Sequence, residues 1–384
     1  MSSVAKMFAS PRQALLALLP LFLALQALWR PVGVIDGQTV EWSARPSLLP
    51  FALAAVLAAL LALWPLRKTA AVFIFVALAG LAAVAPLALL AQQDSAAATP
   101  PVWDAGFWLY AAALALLAGS SIRRVAQLDL QGAFGAQATA VLFGAWALVF
   151  WQLLMQALEV PRVLMPAPSQ IYTALVANYD TLAVDFVQTV LHAVLIGYAI
   201  GCGLGFVVGV LIDRSPFLQR GLLPLSALAS TVPLIGIAPI LVMWFGFDWP
   251  SKAAVVAVMT FFPMLVNTLA GLKSAGHMEL DLMRSYGTGY WGTLLRLRIP
   301  AALPFVFNAL KINSTLAMIG AIVAEFFGTP IVGMGFRIST EVGRLGLDMV
   351  WAEIAVAAIT GSAFYGLLVF LERRVTFWHP SYRK

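Results

Sequence analysis

The sequence predicts an all-α integral membrane protein of about ten transmembrane helices. Three observations carry that expectation. Of the 384 residues, 62% are hydrophobic and 10% are charged, whereas a soluble domain carries about a quarter charged residues. Mean hydropathy is +0.92. The apolar residues gather into stretches near 20 residues, the length a helix needs to cross the hydrocarbon core. The net charge of +6 does not indicate nucleic acid, because Lys and Arg lie in short clusters between apolar runs, as topology signals do. The single Cys202 excludes a disulfide framework, and its apolar surroundings make it a small packing residue.

Taken in order, the expected spans are 14–29, 48–66, 69–91, 105–120, 136–157, 187–212, 222–246, 252–271, 300–326 and 349–371. The first lacks a small-x-small cleavage site and closes on Trp29-Arg30, so it reads as a span rather than a removed leader. With both termini in the cytoplasm, sixteen of the 23 Lys and Arg residues fall on the cytoplasmic side and six on the other. That excess sets the orientation and places the 272–299 loop on the side where ATP is.

The chain divides near residue 130. Residues 1–130 read as a four-helix extension of Ala/Leu-rich spans with simple loops and no chemical constellation. Residues 131–384 have longer loops, and Gly, Pro and polar residues enter the spans. Span 222–246 carries Pro224, Pro233, Gly236 and Pro239. A broken helix is tolerated at membrane depth only beside protein or a water-lined cavity, so this one either faces a pathway or is a kinked packing helix. Gly197, Gly201, Gly205 and Gly209 recur every four residues, on one helix face, and predict a groove for a neighbouring backbone. Gly201-x-Gly203-x-Gly205 has the wrong spacing and setting for a nucleotide-binding turn.

The most specific stretch is Asp281-Leu282-Met283-x3-Gly287-x9-Leu297-x-Ile299-Pro300. His277 to Tyr286 predicts a short helix, and Gly287 a sharp turn with positive φ. Thr288 to Arg298 predicts a second helix, and Pro300 the first turn of the next span. Tyr286, Tyr290 and Trp291 offer rigid apolar area.

Around this loop, several stretches follow one another in a familiar order: Leu164-Met165-Pro166-Ala167-Pro168-Ser169, Thr189-Val190-Leu191-His192 through Gly197, Thr231-Val232-Pro233 with Ala238-Pro239 and Trp244-Phe245-Gly246, Ser251-Lys252, Phe261-Phe262-Pro263 with Asn267-Thr268, Ile299 to Pro304, and Ala324-Glu325-Phe326. Over residues 136–384 the chain resembles the permease subunits of bacterial ABC importers, in the group that handles nitrate, sulfonates, taurine and thiamine-precursor pyrimidines. The family's loop pattern is Glu-Ala-Ala-x3-Gly-x9-Ile-x-Leu-Pro. Asp281 stands here for Glu, Leu282 and Met283 for the alanines, and Leu297 and Ile299 for Ile and Leu, while Gly287 and Pro300 match outright. The resemblance implies that this loop couples to a separate ABC ATPase, which would hold the ATP and Mg. It also implies a second permease copy, an external solute-binding protein, a bacterial inner-membrane location within lipid, and no cofactor on this chain.

Ionisable groups inside spans are costly and are functional candidates by default. His192, Lys311 and Glu325 qualify. Lys311, about 16 Å up its helix from Pro300, either meets substrate or pairs with another helix. Glu325 anchors the Gly328–Gly335 segment or contacts substrate. His192 stands where the family has Arg, which favours a neutral or weakly charged heterocycle over an inorganic anion. Asn267 and Asn308, with Asn313, supply neutral hydrogen bonds along a path or tie helices together. The chain shows no Gly-x4-Gly-Lys-Ser/Thr loop, nucleophile elbow, paired carboxylates or His/Glu metal cluster. An enzyme is therefore not expected, and a secondary transporter or channel is the competing class.

Overall fold

The structure is a computed structural model. It describes residues 11–35, 38–42, 45–64, 69–91, 102–128, 133–215, 217–218, 234–328 and 331–378. The architecture is all-α, with one small sheet. Among the described residues, seven helices are long and apolar enough to span a membrane. Three expected spans appear there as shorter apolar helices, Leu18–Leu28, Leu49–Ala62 and Gly236–Phe245. The first part of span 222–246, with Pro224 and Pro233, lies outside the described residues.

Packing divides the chain into two units, 1–169 and 170–384. The first contains α1 (Pro11–Leu28), β1 (Gly33–Ile35), β2 (Gln38–Val40), α2 (Leu49–Ala62), α3 (Thr69–Ala91), β3 (Val102–Trp103), α4 (Ala105–Ala126) and α5 (Ala133–Ala157). Its core is rich in alanine, with Ala52, Ala55, Ala58, Ala79, Ala82 and Ala85 fully buried. Small side chains let helices approach closely where lipid gives no hydrophobic drive. Few polar groups enter; the indole nitrogens of Trp42 and Trp103 are buried without a partner among the described residues, and others are paired. Tyr110 donates to the Ala82 carbonyl at 2.8 Å, and Trp146 Nε1 donates to Ser121 at 3.1 Å. Arg124 caps the end of α2 through the carbonyls of Ala62 and Trp64, a favourable place for a cation. The strands pair antiparallel in the order β2-β1-β3, with Val34 opposite Thr39 and Val102. Strands of two or three residues are too short to leave a periodic signature, and this sheet was not expected.

The second unit follows with α6 (Pro168–Ala177), α7 (Tyr179–Phe186), a π-helical stretch Val187–Val194, α8 (Leu195–Arg214), α9 (Leu234–Phe245), α10 (Trp249–Leu272), α11 (His277–Ser285), α12 (Tyr290–Thr293), a second π-helical stretch Leu294–Arg298, α13 (Ile299–Glu325), α14 (Met334–Gly343) and α15 (Leu347–Val375). Two expected spans are longer than the apolar count indicated. Residues Tyr179–Arg214 and Tyr290–Glu325 each run as 36 continuous helical residues. Pro300 therefore does not start a separate helix. Proline removes one i→i−4 bond and crowds the carbonyl four residues back. The π-helical turn just before Pro300 widens the helix where that crowding falls.

α10 lies at the centre, packed between α8 and α13. The glycine face of α8 makes this possible. A Cβ at Gly197 would lie 2.5 Å from the Ala253 carbonyl, one at Gly205 2.6 Å from that of Phe261, and one at Gly209 2.9 Å from the Thr268 side chain. At Gly201 it would collide with Thr260 and Ala257. Gly197, Gly201 and Gly205 thus seat α8 directly on the α10 backbone, and Gly209 seats it on the Thr268 side chain.

Candidate functional site

The loop between α10 and α13 is built from local rules. α10 ends at Leu272, and Ser274 turns the chain by donating to the Gly271 carbonyl at 2.7 Å. α11 has Glu279 in its first turn and Arg284 in its last, each on the side the helix dipole favours. Gly287 then takes φ +67°. Its N–H bonds the Arg284 carbonyl at 2.9 Å, and the Thr288 N–H reaches back to Met283 at 3.1 Å. This paired closure on a left-handed glycine ends many helices. Thr288 Oγ1 doubles the bond to Met283 at 2.6 Å and lies 3.2 Å from Thr293 Oγ1, clipping α11 to α12.

The loop presents an apolar surface. Met278, Leu282, Tyr286, Trp291 and Leu295 are all more than half exposed. Asp281 is exposed too and pairs with Arg284 at 3.1 Å, while Met283, Leu297, Ile299 and Pro300 are half-buried. Leu294 seals the base against Leu272 and Ala302. The motif residues thus fall into two groups: Asp281, Leu282 and Gly287 on the exposed turn, and Leu297, Ile299 and Pro300 where the loop joins α13.

Two residues invisible to the motif reading hold the loop. Asp213, near the end of α8, accepts a forked pair of bonds from Arg298 at 2.7 and 2.8 Å and one from Tyr290 at 3.1 Å. Arg214 lies over the rings of Tyr290 and Trp291 at 5.6 and 5.1 Å. Their signal in the sequence was an acid–base pair closing an apolar run.

The pathway candidates do not form one cluster. Asn308 Nδ2 approaches Asn267 Oδ1 at 3.5 Å, and Asn267 donates to the Pro263 carbonyl at 2.8 Å. His192 sits in the first π-helical stretch with its ring 6.0 Å from that of Trp249, and its buried Nδ1 has no partner. Pro239 is exposed inside α9, and Pro233 lies outside the described residues. Lys311 pairs with Glu372 of α15 at 2.8 Å. Both side chains are largely buried, so removing one partner strands a charge and costs about 3 kcal/mol. We expect Glu372→Gln to lower the melting temperature in detergent sharply, and the double change Lys311→Met with Glu372→Leu to recover most of the loss.

Glu325 belongs to a buried polar layer at the opposite end of α13 from the loop. It accepts from Thr189 at 2.8 Å and from the Gly335 amide at 2.7 Å. Asp185 accepts from the Gly333 amide at 2.6 Å and from Arg337 at 2.9 Å. Lys252 is buried in the first turn of α10 and donates to the carbonyls of Phe247 and Gly328. Just before it, hydrogen bonds from Gln188 and the Trp249 amide hold the Asp248 carboxyl below the usual carboxylate range. In this layer Glu325 holds the Gly335 amide at the start of α14.

Comparison with known proteins identifies the family. Residues 201–377, which contain the loop, match the family described as the binding-protein-dependent transport system inner membrane component. The chain is 31% identical to the formylaminopyrimidine transport permease ThiX of Halalkalibacterium halodurans over 243 residues, 62% of this chain and 95% of that protein. It is 26% identical to the putative aliphatic sulfonates transport permease SsuC of Bacillus subtilis over 245 residues, 63% of this chain and 88% of the other. With the riboflavin transport permease RibX of Chloroflexus aurantiacus it shares 28% over 240 residues, 61% and 87%. The chain therefore belongs to the permease subunits of binding-protein-dependent ABC importers, and is a multi-pass inner-membrane transport component.

Proposed function

We propose that this permease forms the path for a small organic solute, with a pyrimidine-like heterocycle as the cargo, and is driven by a separate ATPase that docks on residues 277–298. The observation that carries the docking role is the left-handed Gly287 turn, which displays Leu282, Tyr286 and Trp291 between two short helices. Exposed aromatic and aliphatic side chains on a rigid turn suit a groove in a partner. In this reading ATP and Mg are held by that partner, both termini lie in the cytoplasm, and residues 131–384 are the importer core with 1–130 as an extension. A second copy of the chain and lipid cover the uncovered apolar faces, and a solute-binding protein delivers the cargo from outside.

The cargo rests on His192 and on what the relatives' names say of them. His192, whose Nδ1 has no partner among the described residues, can hydrogen-bond a heterocycle without the fixed charge of an Arg. The runner-up is a sulfonate, taurine or nitrate. A secondary transporter or channel is less well supported, because neither would need the ordered loop. Two measurements test the reading. The chain purified in mild detergent is expected to retain its ATPase, and an aminopyrimidine is expected to be taken up faster than an alkanesulfonate, with His192→Arg narrowing or reversing that preference. Loss of the ATPase under all mild conditions refutes the docking role. Faster sulfonate uptake by the unaltered chain refutes the cargo.

A further inference from the structure

Two helix ends and a π-helical turn meet at one guanidinium. Arg298 Nε donates to the carbonyl of Leu272, the last residue of α10, at 3.0 Å. Its two terminal nitrogens grip Asp213 of α8, and Arg298 itself immediately precedes α13. The Asp213 side chain is only 4% exposed. A forked Arg–carboxylate pair fixes direction as well as distance. Such a desolvated pair is weak evidence for stability, since apolar side chains often do as well in its place. Its geometry offers a different role.

α8 is tied to its neighbours in two places. Midway along, Tyr198 donates to the Leu310 carbonyl at 3.0 Å and Asn313 to Cys202 Sγ at 3.2 Å. Between these ties and the loop, its contact with α10 is apolar, the glycine face together with Ile212 against Leu265 and Leu269. At the loop end the polar tie is Asp213, bonded at once to the loop (Tyr290) and to the start of α13 (Arg298).

We propose that Asp213 is a positioning residue of energy coupling, a clamp that makes α8 follow the loop so that the loop, α8, α10 and α13 respond to the ATPase as one body. The proposal rests on the reading of 277–298 as the ATPase dock. Without the carboxylate, α8 keeps at its loop end the packing of Ile212 and the stacking of Arg214 on Tyr290 and Trp291, contacts without the fixed direction of the forked pair, and lags behind the loop, α10 and α13.

The test uses the full importer: the permease co-purified with its ATPase and solute-binding protein in liposomes. Spin labels go on introduced cysteines at Ser285 of the loop and Leu211 near the loop end of α8, both exposed, the native Cys202 being buried. In the otherwise unaltered chain, trapping with ATP, Mg and vanadate is expected to leave the distance between labels unchanged. With Asp213→Asn it is expected to shift by about 2 Å or more, with solute moved per ATP falling roughly tenfold, and Asp213→Glu restoring much of both. Asp213→Ala with Arg298→Ala should be no worse than either alone, as for one shared interaction. An unshifted distance in Asp213→Asn overturns the clamp, as does loss of the ATPase from that variant, which would make Asp213 part of the dock. Retention of the ATPase by Leu282→Asp at the unaltered level overturns the docking reading itself and the clamp with it.

Discussion

Gly287→Val is expected to cut ATP-coupled uptake by roughly tenfold or more while the protein still reaches the membrane, and Gly287→Asn to keep most of it. The contrast isolates backbone conformation from bulk. Nothing lies within 4 Å of a Cβ added at Gly287, yet its φ is +67°. An L-residue in that region pays about 1–2 kcal/mol, more when branched at Cβ, whereas Asn tolerates it. A tenfold effect corresponds to about 1.4 kcal/mol, so the strain alone reaches the expected size. The strained variant relieves itself by opening the end of α11, which undoes the Thr288–Met283 closure and turns Leu282 and Tyr286 away from their shared direction. Uptake and binding-protein-stimulated ATP hydrolysis in liposomes report the result. Normal values for the Val variant would show that the turn has no part in coupling.

Gly205→Leu is expected to be the most damaging single change in residues 170–384. Its Cβ would lie 2.6 Å from the Phe261 carbonyl oxygen and 2.9 Å from Met264 Cβ. The first neighbour is backbone and cannot rotate aside, so α8 and α10 must separate along their contact. Overpacking in a core costs about 1–3 kcal/mol, and the lost helix contact adds to that. The variant should yield little monodisperse protein on size exclusion in detergent and melt well below the parent. Gly203→Ala is the control. It sits on the same helix with open space around its Cβ, and alanine is the better helix former by about 1 kcal/mol. It should melt at or above the parent temperature, and equal behaviour of the two variants would contradict the backbone-contact account.

What was legible in the sequence follows the range of the forces involved. Apolar runs, the glycine repeat and the Gly287 turn depend on neighbours a few residues apart, and composition and spacing reveal them. The partners of buried charges do not. Lys311 was recognisable as a costly group inside a span, but its partner Glu372 lies 61 residues away near the end of another helix. Asp213 and Arg298 are 85 residues apart, and only the fold makes them one site. The π-helical stretch at Val187–Val194 has no proline to announce it, unlike the one before Pro300. The partners of Lys252, the carbonyls of Phe247 and Gly328, were equally hidden, because a cation at the edge of an apolar run reads the same whether it faces water or protein.

The unbroken helix from Tyr290 to Glu325 has a consequence in simple mechanics. Its 36 residues at 1.5 Å each make a rod of about 54 Å, longer than the roughly 30 Å hydrocarbon layer. One end carries Trp291 on the exposed turn. The other carries Glu325, which holds the Gly335 amide and Thr189. Tilting such a rod about its foot by about 5° carries its far end through about 5 Å, close to one helical turn. With leverage of that size, a small push delivered at one membrane surface is enough to unseat hydrogen bonds at the other, with no relay of side chains in between.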